Sequence, residues 1–123
     1  MNLFEYKNLI DGKPMHIATV NISNNPNLSV ASDVKVIEED KILISVNEMS
    51  NTQKNIEHNS NVVLTVFDEN WVGLRIFGTA KFYTEGEYFE LDKEIFDEAL
   101  FAERGIHVKG ALVITVSRYE KYE

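Results

Sequence analysis

Six short apolar runs, most of them separated by a few turn-forming or charged residues, constrain this 123-residue chain more than any other feature. Met15 to Ile22 is rich in strand-forming residues and closes at Ser23-Asn24-Asn25-Pro26, whose residues favour a turn. Leu28 to Ile37 reads as one strand. In it Val30, Ser32, Val34 and Val36 alternate with Ser29, Ala31, Asp33 and Lys35, as expected for a sheet with one buried face. Glu38-Glu39-Asp40-Lys41 forms a charged hairpin tip before the third strand, Ile42-Leu43-Ile44-Ser45-Val46. Asn61 to Asp68 carries Val62-Val63-Leu64-Thr65-Val66-Phe67, apolar enough to be buried on both faces. Glu69-Asn70 turns the chain into a long strand, Trp71 to Thr84, where Gly73 and Gly78 mark bends or close backbone approaches. Ala111 to Val116 is the last strand and precedes a charged tail.

Helices are inserted among these strands rather than alternating with them. Asn2 to Ile10 has the spacing of a short amphipathic helix, ended by Asp11-Gly12 and Pro14. A second short helix runs from Thr52 to Asn59. A third follows Thr84-Glu85-Gly86-Glu87, which has capping-box spacing, with Tyr88, Leu91, Ile95, Ala99 and Leu100 on an apolar stripe and Gly105 as a left-handed cap. The pattern predicts a mainly β, six-stranded antiparallel sheet or barrel with peripheral helices, and closure would remove the edges such strands expose. The length fits one domain over residues 1–123.

Composition narrows the chemistry. Without cysteine there is no disulfide, thiolate nucleophile or cysteine-held metal centre. A net charge of -8, with no Lys/Arg stripe to offset it, repels phosphate backbones and argues against nucleic acid. No apolar run approaches the roughly 20 residues of a membrane span, and Met1 to Glu5 lacks the regions of a signal peptide, so a cytoplasmic protein is expected with no membrane partner.

His16, His58 and His107 are scattered, without metal-ligand spacing. The carboxylates between Glu85 and Glu103, among them Asp92 and Asp97, fit a solvated helical face better than paired catalytic acids. Ser29, Ser32 and Ser45 lack a nucleophile-elbow context. Trp71 either covers an aromatic ligand or packs at a turn, with packing favoured, and Arg75 either faces solvent or reaches an anion. No catalytic residue emerges, so any chemistry would come from a bound cofactor.

One segment suits such a cofactor. Met49-Ser50-Asn51-Thr52-Gln53-Lys54 gathers hydroxyl and amide side chains at the opening of the second helix, where free N–H groups and partial positive charge accept a phosphate. From this segment alone an ordinary N-cap, with Ser50 or Asn51 bonded to those N–H groups, is favoured over the phosphate site, since most helices need caps and few bind phosphates.

Taken in order, Ile17-Ala18-Thr19-Val20, Pro26 through Val30, Thr52 with Asn55-Ile56 and Asn59, Val62-Val63-Leu64, Ile76-Phe77-Gly78-Thr79-Ala80 and Lys109 through Val116 resemble the FMN-binding split β-barrel family, also called pyridoxamine 5'-phosphate oxidase-like. The small bacterial FMN-binding proteins of that family are the nearest in pattern. The resemblance implies a homodimer of split barrels holding non-covalent FMN at its interface. It places Val30, Ala31 and Ser32 beside the flavin, and Val46, Asn47 and Met49 at its ring through backbone contacts. Ser50, Asn51 and Thr52 would take the phosphate, with Lys54 the nearest cation, and His107 lies where relatives place an aromatic residue beside the flavin. Relatives commonly carry Lys or Arg near position 51, and Asn51 departs from that, which weakens the hold on a phosphate dianion.

The expected function is that of an FMN-binding oxidoreductase or electron-transfer protein with a small-molecule or protein electron donor or acceptor. Two alternatives are oxidation of a vitamin B6 phosphate, for which no basic substrate-phosphate cluster is visible, and a non-catalytic flavin or haem binding module.

Overall fold

The computed structural model describes residues 1–47 and 50–122. Seven antiparallel strands form one sheet: β1 Met15–Val20, β2 Pro26–Ala31, β3 Val34–Glu38, β4 Lys41–Val46, β5 Asn61–Phe67, β6 Gly73–Tyr83 and β7 Gly110–Lys121. Their order across the sheet is β2-β1-β5-β6-β7-β4-β3. The outermost strands, β2 and β3, are consecutive in sequence and joined by Ser32 and Asp33 alone. In a flat sheet six spacings of about 4.8 Å would part them by roughly 29 Å, whereas the three Cα steps from Ala31 to Val34 reach at most about 11 Å. The sheet therefore curls into a split barrel with its edges drawn together at that corner.

The same corner accounts for the seventh strand. Leu28 to Ile37, expected as one continuous strand, breaks at Ser32-Asp33, and its two halves pair with different neighbours, β1 and β4. The alternation changes phase across the break: Ala31 is buried and Val30 exposed before it, whereas Val34 and Val36 are buried after it. A period-two pattern cannot continue through a corner where the chain leaves one ladder for another.

The barrel interior is filled by inward residues, among them Met15, Ile17, Ile42, Ile44, Leu64, Ile76, Leu112 and Ile114, all 1% exposed or less. Burying each such side chain contributes about 1.5–3 kcal/mol. β5, expected to be buried on both faces, alternates instead, with Val62, Leu64 and Val66 inward and Val63 and Thr65 only half-buried. The strands covered on both faces are β4 and β7, because a helical segment packs outside them: α3 Glu87–Asp92, a π-helical stretch Lys93–Asp97, and α4 Glu98–Arg104. Tyr88, Leu91, Ile95 and Phe96 of that segment meet Leu43, Ala111 and Val113 in a second, smaller core. Gly86 is its N-cap at φ 89° with no side-chain cap bond, so the capping box expected at Thr84 does not form. Gly105 closes it at φ 67° as expected, its N–H donating to Phe101 O at 2.9 Å.

The charged tail continues β7 as far as Lys121, paired with the start of β6. Its alternation survives the charge, since Tyr119 turns inward against the main core while Arg118 and Glu120 face solvent. A short 3-10 turn, Leu3–Tyr6, leads into α1, Lys7–Ile10, and Leu3 and Ile10 enter the main core. No helix among the described residues is long and apolar enough to cross a membrane.

Gly78 sits beside a register shift between β6 and β7, where a Cβ would lie 2.3 Å from Thr115 O. Gly78→Ala forces the two strands apart, and chemical unfolding is expected to show a loss of about 1–3 kcal/mol, the scale of an overpacked core.

Asp92 departs most from the expected solvated acidic face. It is fully buried between α3 and the sheet, and among the described residues neither carboxylate oxygen has a partner in full hydrogen-bond geometry, the Ser45 hydroxyl lying beside it. Desolvation pushes its carboxyl up to about 7; the Ser45 hydroxyl opposes the rise, and the charges of Asp33 and Asp97 add to it. An acid whose folded pKa is raised binds its proton more tightly when folded, so it destabilises increasingly as pH rises from the ordinary carboxylate range towards 7. Asp92→Asn should therefore raise Tm at pH 8 and leave it nearly unchanged at pH 4. Thermal melts of both proteins across that range check this, and an unchanged difference at the two pH values would contradict it.

Candidate functional site

The corner between β2 and β3 opens on a cavity of about 360 Å³. Val30, Ala31 and Ser32 wall one side because β2 ends there, and Ser45 and Asn47 wall another because β4 ends alongside. The Ser45 N–H donates to Asp33 O at 2.9 Å and holds the two strand ends together. Asn47 Oδ1 and Ser45 Oγ are buried and find no hydrogen-bond partner among the described residues. An unpaired buried acceptor costs about 1–3 kcal/mol; Ser45 Oγ has the Asp92 carboxyl beside it, which leaves Asn47 Oδ1 on the cavity wall without a donor among the described residues. Arg104, Ile106 and Lys109 complete the wall from the end of α4 and the loop after it.

Four of the residues expected around the cofactor, Val30, Ala31, Ser32 and Asn47, thus meet at one cavity. Val46 is buried at the end of β4, directly before Asn47. Met49 lies outside the described residues.

The remaining phosphate candidates belong to α2, Ser50–His58, which begins earlier than the expected Thr52 and so contains Ser50 and Asn51 rather than following them. Ser50, Asn51 and Lys54 are exposed. Thr52 is 2% exposed, and its hydroxyl shares a 2.5 Å hydrogen bond with that of Ser29 on β2. One turn on, Asn55 Nδ2 donates to Thr19 Oγ1 of β1 at 3.0 Å, and Ile56 enters the main core. These contacts pin α2 across β1 and β2 and settle its direction, with Ser50, Asn51 and Lys54 left on the outer side.

His107 is not at the first cavity. Its Nδ1 lies 3.0 Å from Asp97 Oδ2, and its ring stacks on Phe101 with centroids 4.8 Å apart. The Asp97 carboxyl is held below its ordinary pKa, chiefly by the Val108 N–H donated to it and then by His107. Asp97 therefore ties the loop carrying His107 to the helical segment.

Two features escaped the sequence reading. Arg104 and Lys109 bring positive charge to the first cavity, yet in sequence they sit far from its other walls, one at a helix end and one before a strand. Beside α2 a larger cavity of about 710 Å³ is lined by Lys41, Gln53, Glu57, Lys81 and Tyr88 among others, and contains none of the expected ligand residues. Only the curl of the sheet brings β4, β6 and α2 together there. Arg75, left open between solvent and an anion, pairs with Glu120 at 3.2 Å on the surface.

Known proteins agree with this architecture. An uncharacterised protein of Methanocaldococcus jannaschii is 34% identical over 110 residues, covering 88% of this chain and 72% of that protein. The crystal structure of HupZ from Group A Streptococcus superposes with a TM-score of 0.84 at 27% identity, over 98% of this chain and 94% of that one. An FMN-binding protein from Syntrophomonas wolfei subsp. wolfei shares the fold, with a TM-score of 0.75 at 22% identity over 89% of this chain and 76% of its own. The family model for pyridoxamine 5'-phosphate oxidase matches residues 5–122. By that match and by its curled antiparallel half-barrel, the chain belongs to the pyridoxamine 5'-phosphate oxidase family.

Proposed function

We propose that residues 1–123 act as one flavin-binding unit that holds FMN non-covalently and passes electrons or hydride between the flavin and a small partner. The observation that carries this reading is the buried Asn47 Oδ1, without a partner among the described residues, on a cavity shared with Val30, Ala31 and Ser32. The edge of a flavin ring presents both N–H donors and carbonyl acceptors, which suits an amide oxygen without a partner among the described residues. Arg104 and Lys109 add positive charge suited to an anionic ligand. The match to the pyridoxamine 5'-phosphate oxidase family supports the same reading.

The flavin supplies the redox chemistry when bound. This chain's own residues bind and orient it: Ser50 and Asn51 in the first turn of α2 offer hydroxyl, amide and N–H donors for the phosphate, and Thr52, held by Ser29, fixes the angle of that turn. Exposed apolar side chains at Leu28, Val30 and Val72 support a homodimer that covers them and encloses the ring. Oxidation of a vitamin B6 phosphate and a purely binding role remain the rival readings, and no specific observation favours either.

FMN added to the purified protein should shift the visible flavin spectrum, with binding in the micromolar range. No spectral change at micromolar concentrations ends the proposal. Asn51→Lys restores a cation at the phosphate and is expected to tighten FMN about tenfold, close to the worth of one charge-assisted hydrogen bond, while leaving riboflavin affinity unchanged. Equal tightening of both ligands would place the phosphate elsewhere.

A further inference from the structure

The flavin reading makes no use of the cavity beside α2, which at about 710 Å³, against about 360 Å³ at the corner, has the size of a small-molecule site. Its floor is the outer face of the sheet. Antiparallel register sets Lys41, Thr115 and Thr79 side by side across β4, β7 and β6, and Lys81 stands beside Val113 in the next outward row. With strands about 4.8 Å apart and alternate residues about 6.8 Å apart, the two lysine Cα atoms stand roughly 12 Å from each other, with Thr115 and Thr79 on the path through the ladder. Over that span the flexible four-carbon stems of lysine bring both ammonium groups to one anion.

Neither ammonium has a strong partner. Lys41 Nζ lies 3.3 Å from the half-exposed carboxylate of Asp40, its own neighbour in sequence, and Lys81 Nζ lies 5.3 Å from the centre of the Tyr83 ring. Surface contacts of that kind hold a lysine weakly and yield to a better anion. The opposite wall has the reverse character. There α2 contributes Gln53 and Glu57, which share a hydrogen bond of 3.4 Å, and Glu57 is the one carboxylate among the described lining residues. Tyr88 closes one side, its hydroxyl committed to Glu38 Oε2 at 3.0 Å and its ring 5.2 Å from that of Tyr83.

We propose that this cavity binds a phosphate monoester of a polyhydroxylated sugar, with the phosphate between Lys41 and Lys81 and the sugar hydroxyls turned towards Gln53 and Glu57. A phosphate monoester fits the sheet side better than a carboxylate, because its three terminal oxygens take two ammonium groups and a threonine hydroxyl together. Glu57 repels that end of the ligand and accepts hydroxyl protons from the other, which fixes the ligand's direction. A chain of net charge -8 has no general attraction for an anion, so saturable binding reports these two lysines. Two sources share the chemistry: a free sugar phosphate, or the ribose phosphate of a nucleotide. The site goes beyond the flavin-binding reading and does not depend on it.

Calorimetric titration of the full chain at low ionic strength and pH 8 tests this in the wild type, Lys81→Gln and Lys41→Gln, with ribose 5-phosphate, adenosine 5'-monophosphate, ribose and inorganic phosphate as probes. The wild type is expected to bind one of the two esters at least about tenfold more tightly than inorganic phosphate, with no response to ribose. Each substitution should weaken that ester about tenfold, the scale of one charge-assisted hydrogen bond, and leave Tm unchanged because neither lysine has a strong partner to lose. The tighter ester identifies the source. FMN affinity should be the same in the wild type and Lys81→Gln, and a protein that binds the ester through Lys81 but binds no FMN keeps this site and removes the flavin reading. No saturable response to either ester, equal ester affinity in all three proteins, or an ester held no more tightly than inorganic phosphate overturns the proposal. So does a parallel loss of FMN affinity in Lys81→Gln, which would assign that lysine to the flavin's own phosphate.

Discussion

Two residues, Ser32 and Asp33, join the first and last strands of a seven-stranded sheet, and that short link governs the rest of the molecule. A sheet of this width can satisfy it only by curling, and the curl creates an inside for Ile42, Ile44, Leu64, Ile76, Leu112 and Ile114 to fill. It also brings the ends of β2 and β4 together, with Ser45 bonded to Asp33 across the gap. The cavity at that corner exists because the backbone there has left one ladder and not fully joined the next.

The helical elements divide the labour. α2 lies across β1 and β2 through Thr52 and, one turn on, Asn55 and Ile56, all buried, so its polar opening turn is held at a fixed angle. The segment from Glu87 to Arg104 instead packs outside β4 and β7 and carries Asp92 into a largely apolar layer beside the Ser45 hydroxyl. A carboxyl in that position opposes docking least while it holds its proton. The π-helical turn begins directly after it, at Lys93, and such bulges commonly mark positions where helix geometry has yielded to another demand. The segment ends at Arg104, one of the cations of the corner cavity, so Asp92 and that charge belong to one continuous helical segment.

Much of the fold was legible in the residues themselves. The strand runs, the turns at Asn24-Asn25 and Glu69-Asn70, the glycine cap at Gly105 and the close approach at Gly78 all follow from local chemistry, and each is present. The misreadings share a different cause. The break at Ser32-Asp33, the alternating burial of β5 and the strand character of the tail depend on which strand lies alongside, which is set by pairing over long sequence separations. The site divides in the same way. Val30, Ala31, Ser32 and Asn47 were found through family resemblance and share a cavity, whereas Arg104 and Lys109 reach it only through the path of α4. Asp92 was hidden for a further reason: within a helix dense in carboxylates, no pattern of neighbours distinguishes the one that turns inward.

Trp71 shows how a local rule, when broken, becomes informative. Its place after Glu69-Asn70 matches a turn, and glycine or asparagine there would satisfy the backbone without cost. Packing does not account for the indole either, because most of its surface faces solvent and its one close aromatic neighbour, Phe67, is itself 40% exposed. A side chain that fits neither its backbone nor the core is retained against two unfavourable terms. On the opposite side of the same argument, Gly73 stands two residues later at the point where β6 begins, and a Cβ there would meet Val66 O at 2.1 Å. The hairpin thus has a residue too large for its backbone beside one that can be no larger. The first presents a surface and the second lets the strands close beneath it.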